Sequence, residues 1–298
     1  MKHFPRVGVI GSGQLAHLTL APATALGIDF ISLANSKENT ASLEVVREFA
    51  RKCDVVTFEH DQIPISIVRT LEHEGVKFLP SSSVYQDLLK QTTKFIKELI
   101  DFEFEIAVMV ARSPHGQAAT WAPTLIVKRD GIIIETVTPV PEFNEVQASA
   151  AQNLALQIAE EIKLVGVMTV EMFVKGNQIE INQISLSPHG FGNWTIEGSV
   201  TSQYEQHLRA ILDLPLGDTS MTAKWVVMGI IYGSDKSNMY RPYLHLLART
   251  PALKFQYYGI DSAPGKKIGH ITLIGKKLTH LRNEVDHALA YLCGEVDE

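Results

Sequence analysis

The chain has 298 residues, 45% of them hydrophobic and 20% charged, with a formal net charge of −6. That length allows two or three modest domains with a sizeable core, and the negative balance excludes a general nucleic-acid binder, which needs a basic excess against phosphates. Two cysteines without metal-ligand spacing, Cys53 and Cys293, exclude a disulfide framework. No apolar run approaches a membrane span and no signal peptide is read, so the expected compartment is the cytoplasm.

Arg6 to Ile10 (RVGVI) reads as a short buried parallel strand. It runs into Gly11-Ser12-Gly13-Gln14-Leu15, and a helical stretch follows, closed by Gly27. Asp29 to Leu33 predicts a second strand, Ala41 to Lys52 a helix, and Asp54 to Phe58 a third strand. Helix Ile65 to Glu74 and strand Val76 to Leu79 complete the series. This alternation implies a parallel sheet wrapped by helices, with ligands at the carboxyl ends of the strands. Residues 81–104 read as a polar helical bridge. From Glu105 the texture turns β-rich, with Asp130-Gly131 as a hairpin signal. A helix over Val146 to Ile162 precedes strands Gly166 to Val174 and Gln178 to Ser185, joined by the turn Lys175-Gly176-Asn177. Ser202 and Glu205 form a capping box. The last 75 or so residues read as mixed α/β, with strands within Lys254 to Ile274 and a helix over Leu278 to Tyr291.

Five places carry candidate chemistry. The glycines of the 11–15 loop let backbone N–H groups approach a phosphate at a helix N-terminus. A nicotinamide cofactor is one reading, opposed by Ala16 in place of a third glycine and by Ala34-Asn35 where a ribose-binding acid belongs. A tight turn without ligand is the other. Glu59, in the acidic run Glu59-His60-Asp61, stands at a strand end where it can accept hydrogen bonds from an amine or sugar. Glu171 interrupts an apolar strand and falls opposite Asn182 and Gln183, oxygen donors that suit magnesium with nucleotide phosphates. A carboxylate facing water is the alternative there. His189 lies in a glycine-spaced loop, 188–194, able to close over a ligand. Lys266 and Lys267 sit between glycines, as an anion site or as a plain basic turn.

IGSGQLA, VVTFEHDQIP, EIAVMVARSP, VGVMTVEMF, HGFGNWT, TSQYEQHLRAILDLPLGD and PGKKIGH occur in an order that resembles the N5-carboxyaminoimidazole ribonucleotide synthetase family of the ATP-grasp superfamily. The resemblance covers nearly the whole chain. It implies an α/β fold: an open parallel sheet of pre-ATP-grasp type over 1–80, a bridge over 81–104, a shortened β-rich ATP-grasp domain over 105–220 and a small α/β domain over 221–298. It implies carboxylation of aminoimidazole ribonucleotide by bicarbonate with ATP and magnesium, in a homodimer. By the same resemblance Gln14, Leu15, Glu59, Lys266 and Lys267 contact the ribonucleotide. Glu105 and Asn182 contact ATP, Glu171 and Gln183 hold the metal, and His189 and Lys267 are catalytic.

Departures from the family pattern are also legible. Residues 80–104 leave no room for the family's central phosphate-gripping subdomain, and Lys97 stands where an acid is usual. Gln183 replaces the second magnesium glutamate. The loop reads Ser187-Pro188-His189-Gly190-Phe191-Gly192-Asn193-Trp194-Thr195, without the family's arginine and second histidine. A homologue that binds a ribonucleotide or a protein without turnover is therefore the alternative.

Overall fold

The structure, a computed structural model, describes residues 4–11, 13–34, 42–59, 63–95, 101–141, 143–234, 240–260 and 262–294, with side chains for all of these but 91–95. Ser12, Asn35, His60, Asp61 and Lys97 lie outside the described residues.

The amino-terminal part follows the alternation of its sequence. Strand β1 (Arg6–Ile10) leads to α1 (Gln14–Ala25), β2 (Asp29–Leu33), α2 (Leu43–Ala50), β3 (Val55–Phe58) and α3 (Ile65–His73). The strands form a parallel sheet of order β2-β1-β3. The fourth expected strand, Val76 to Leu79, is reduced to one bridge between Phe78 and Val56. Val56 donates to the Lys77 carbonyl and accepts from Leu79 N–H. Pro80 then has no N–H to extend the ladder.

Helix α4 (Ser82–Phe95) crosses to a larger sheet. Its strands are β4 (Phe104–Arg112), β5 (Ala118–Thr120), β6 (Thr124–Arg129), β7 (Ile132–Thr138), β8 (Gly166–Lys175) and β9 (Gln178–Ser185), with α5 (Glu145–Glu161) between β7 and β8. Asp130 and Gly131 adopt φ 52° and 77° at the β6–β7 turn, the left-handed pair that a two-residue hairpin needs. Helix α6 (Gln203–Ile211) follows a short helical turn at Thr195–Gly198. Then come β10 (Trp225–Tyr232), α7 (Tyr240–Arg249), β11 (Lys254–Tyr257), β12 (Lys267–Gly275) and α8 (Leu278–Cys293). The carboxyl-terminal strands continue the same nine-stranded sheet, in the order β11-β12-β10-β7-β6-β4-β8-β9, with β5 on β4.

One face of this sheet is covered by α5 and α8. Ala151, Ala155 and Ile158, with Val285 and Ala288, pack on Ile106, Val108, Met168, Val170 and Ile271. The opposite face carries Ala107, Met109, Ala111 and Val167 under Trp194 and Phe191. Helix α6 is shared: Leu208 and Ile211 pack with Val7, Val55 and Leu79 of the parallel sheet, and the helix also lies along β8.

Candidate functional site

The glycine loop after β1 is held by Glu59. Its Oε2 accepts from Gly13 N–H at 2.7 Å and its Oε1 from Leu15 N–H at 3.0 Å. Helix α1 has no acidic residue in its first turn and no side-chain cap, so this distant carboxylate satisfies its first donors and its dipole. Gly11, at φ 135°, and Gly13 leave the room Glu59 fills, since a Cβ at either would collide with it. The sequence reading left these N–H groups either a phosphate or a ligand-free turn, and gave Glu59 hydrogen bonds from an amine or sugar. Glu59 is instead buried, 5% exposed, and its oxygens hold the loop.

The 187–194 loop lies against this one. The Gln14 amide nitrogen is 3.4 Å from the point where a Cβ on Gly190 would sit. His189 is half-buried and packs on the Phe191 ring, with centroids 4.7 Å apart. Its backbone is clamped by the fully buried Gln203, whose Oε1 accepts from His189 N–H at 3.0 Å while Nε2 donates to the His189 carbonyl at 2.7 Å. Asn193, standing where the family pattern has its second histidine, is a buried hub. Its Oδ1 accepts from Tyr204 O–H at 2.5 Å and from Gln203 Nε2 at 3.1 Å. Its Nδ2 donates to the Tyr258 hydroxyl at 3.1 Å, and Tyr258 lies 2.8 Å from His270 Nδ1 on β12. Loop, α6 and the carboxyl-terminal strands are thereby tied together. Burial depresses His270 to about 3, which keeps the ring neutral in this network.

Phe191 continues onto the sheet, packing on Ala107, Ile126 and Ile133. On this face Glu171 of β8 pairs with Ala107 of β4, and Glu105 lies two residues along from Ala107. A bulge in β9 sets both Asn182 and Gln183 against Glu171, because the register passes from Gln183 directly to Ile181. Glu105 is 7% exposed and both its oxygens are held by Lys128 Nζ, at 2.6 and 2.7 Å. Desolvation raises the Glu171 carboxyl above its ordinary range, reinforced by the Glu105 charge; Lys128 and Lys267 pull it back. Desolvation lowers the Lys267 ammonium, against the pull of Glu171. Lys266 stands exposed on the turn before β12.

The structure thus forms two groups from the expected residues. Gln14, Leu15 and Glu59 meet the His189 loop, and Glu105, Glu171, Asn182, Gln183 and Lys267 share one sheet face around Lys128. Lys128, Gln203 and Tyr258 were missed. Lys128 had a signal, a charge ending the run TLIV at the alternate position of Ile126. Gln203 and Tyr258 had none. The donor set does not fit magnesium. Lys128 occupies both oxygens of Glu105, Gln183 is an exposed neutral amide, and among the described residues no group of three His, Cys, Asp or Glu side chains could hold a metal.

Comparison with known proteins gives three family matches: a ribonucleotide synthetase preATP-grasp domain over residues 4–86, an ATP-grasp domain over 72–204, and a phosphoribosylaminoimidazole carboxylase C-terminal domain over 227–284. The N5-carboxyaminoimidazole ribonucleotide synthase of Mycobacterium bovis is 29% identical, the match covering 97% of this chain and 88% of the relative. The enzyme of that name from Corynebacterium ammoniagenes is 38% identical over 66% of this chain and 49% of its own length. The mycobacterial alignment runs over 376 positions against 298 residues here, so at least 78 of its positions have no counterpart in this chain. A crystal structure of the Aspergillus clavatus synthase with ADP and 5-aminoimidazole ribonucleotide superposes with a TM-score of 0.86 at 22% identity, covering 99% of this chain and 100% of that one, and attests the fold.

Proposed function

The chain belongs to the N5-carboxyaminoimidazole ribonucleotide synthase family of the ATP-grasp superfamily, and from that premise we propose that it joins bicarbonate to the amine of aminoimidazole ribonucleotide at the expense of ATP. The observation that carries the reading is the meeting of the Gln14 loop with the His189 loop, which leads through Phe191 onto the Glu105–Glu171 face.

Bicarbonate takes the γ-phosphoryl group of ATP, the carboxyphosphate releases carbon dioxide and phosphate, and the amine adds to the carbon with loss of a proton. In this chain Gln14 orients the ribonucleotide, with Glu59 holding the loop in shape through the Gly13 and Leu15 N–H groups. Lys267 and Lys266 face its phosphate or the carboxylating species. Glu105 and Asn182 face the nucleotide, and His189 takes the proton from the amine. Most of the barrier in such a reaction is met by positioning and charge neutralisation. No step runs through a metal held by Glu171 and Gln183, because the donor set does not fit one. Assembly as a homodimer belongs to the same proposal.

The test is phosphate release from ATP by the purified chain, with and without aminoimidazole ribonucleotide and bicarbonate. Carbon-13 bicarbonate reports the carboxylated product. Release that depends on both co-substrates is expected. Ribonucleotide binding without such release would replace the ligase reading with that of a non-catalytic binder.

A further inference from the structure

Helix α6 carries buried polar side chains that reach other elements. Gln203 holds the His189 loop, and one turn further His207, 3% exposed, stands between the two sheets. Strand β9 pairs with β8 no further than Thr169, so the Val167 N–H beyond it has no strand to meet. His207 Nδ1 accepts that N–H at 3.1 Å. A neutral imidazole that accepts at one nitrogen carries its proton on the other, so Nε2–H donates to Thr57 Oγ1 on β3 at 2.8 Å. A Cβ on Gly166 would stand 3.0 Å from His207 Cε1, which shows how closely β8 passes the ring.

Each end of this bridge lies near a group of the candidate site. Thr57 is two residues before Glu59, which shapes the loop of Gly13 and Leu15. Val167 is four residues before Glu171 and shares its face of β8. Leu208 and Ile211 hold α6 against Val7, Val55 and Leu79, but apolar attraction is non-directional and does not by itself set a register. The rigid ring does, because its two nitrogens are a fixed distance apart and both are bonded.

We propose that His207 is a positioning residue for the carboxylation, its imidazole fixing the separation of the Gln14 loop from the Glu105–Glu171 face. The amine bound at the loop must stand beside the carboxyphosphate as carbon dioxide leaves it. With the two faces out of place, water converts carboxyphosphate to bicarbonate and phosphate, and ATP is hydrolysed without product. The proposal rests on the ligase reading for what the two faces bind, and on the hydrogen bonds alone for the strut between them.

The experiment measures carboxylated product per phosphate released by the full chain, from ATP, carbon-13 bicarbonate and aminoimidazole ribonucleotide. A smaller folded fraction lowers both rates together and leaves the ratio unchanged, whereas misplacement lowers the ratio. Thr57→Val and His207→Leu should lower it about tenfold, within the roughly 100-fold that a misplacement of about 1 Å can cost. His207→Gln, whose amide offers an acceptor and a donor to the same two partners, should restore most of it. An unchanged ratio in Thr57→Val and His207→Leu overturns the proposal, and Thr57→Val decides alone where His207→Leu does not fold. A second readout needs no turnover. Spin labels at Glu48→Cys on α2 and Glu160→Cys on α5, in a Cys53→Ser, Cys293→Ser background, sit at exposed positions on helices packed with the two different sheets. Double electron–electron resonance should give one narrow distance that Thr57→Val broadens and His207→Gln keeps. A distribution unchanged by Thr57→Val also overturns the proposal. If the unaltered protein makes no product, the ligase reading falls by itself and the distance distributions decide this one.

Discussion

Glu59 shows how one side chain sets the shape of a loop. It supplies two charge-assisted hydrogen bonds to N–H groups at a helix start, each worth about 1.5–3 kcal/mol. Glu59→Ala should therefore lower stability by about 3–6 kcal/mol in urea denaturation, and Glu59→Gln by less, since its amide keeps one acceptor oxygen. Equal stability of all three proteins would show that the loop does not depend on the carboxylate. His207 makes a different kind of tie. Its Nδ1 accepts from Val167 N–H on β8 at 3.1 Å, which leaves Nε2–H to donate to Thr57 Oγ1 on β3 at 2.8 Å. Burial lowers its pKa from 6.5 to about 4. A depressed folded pKa means the unfolded chain takes up the proton first. The stability contribution is then full above pH 6.5 and is lost as pH falls towards 4, by on the order of 3 kcal/mol. His207→Gln should flatten the urea midpoint across that window. A midpoint as steep as in the unaltered protein would exclude His207 as a source of acid lability, leaving His270 to account for it.

Among the elements, the 187–194 loop is held by its neighbours more than by its own sequence. Gln203, on α6, pairs with His189 N–H and C=O much as a strand would, and a Cβ on Gly192 would strike the Gln203 amide. Gln203→Ala leaves the His189 backbone groups and one Asn193 acceptor site without this partner, at a cost of about 2–4 kcal/mol. Amide hydrogen exchange at His189 and Gly192 should accelerate together in that variant. Exchange unchanged at both would mean that the Tyr204–Asn193–Tyr258 bonds hold the loop alone. His189 itself was found from its glycine-rich surroundings, whereas its clamp could not be. A glutamine at the start of an amphipathic helix reads as surface until the loop 10 to 14 residues earlier folds back onto it.

At the scale of the whole molecule, α6 joins the two sheets. Residues 81–103 hold α4 and no strand among the described residues, and at least 78 positions of the alignment with the mycobacterial relative have no counterpart here. Magnesium-ATP should therefore bind weakly. Loss of two charge-assisted contacts, the carboxylate replaced by Gln183 and the arginine replaced by Ser187 in the family pattern, corresponds to roughly 100-fold or more in affinity if the two act independently. Calorimetry checks this, and Gln183→Glu should recover less than about tenfold, because Lys128 still holds Glu105. Micromolar binding by the unaltered protein would show that another segment grips the phosphates.

The sequence by itself determined the strand–helix order of the first 75 residues, the Asp130-Gly131 hairpin, the β8–β9 pairing that sets Glu171 against Asn182 and Gln183, and the family. These rest on signals carried within a few residues: apolar runs, alternation, and positions that require positive φ. Tertiary structure alone decided that β10 to β12 extend the same sheet as β4, that Val76 to Leu79 makes one bridge, and that Glu59 turns inward to the glycine loop. It also decided that Lys128 meets Glu105. Lys128 and Glu105 are 23 residues apart, Glu59 and Gly13 are 46, and their meeting depends on which strands become neighbours. No local period or propensity encodes that choice; it follows from how the apolar faces of the sheets and helices can be buried together.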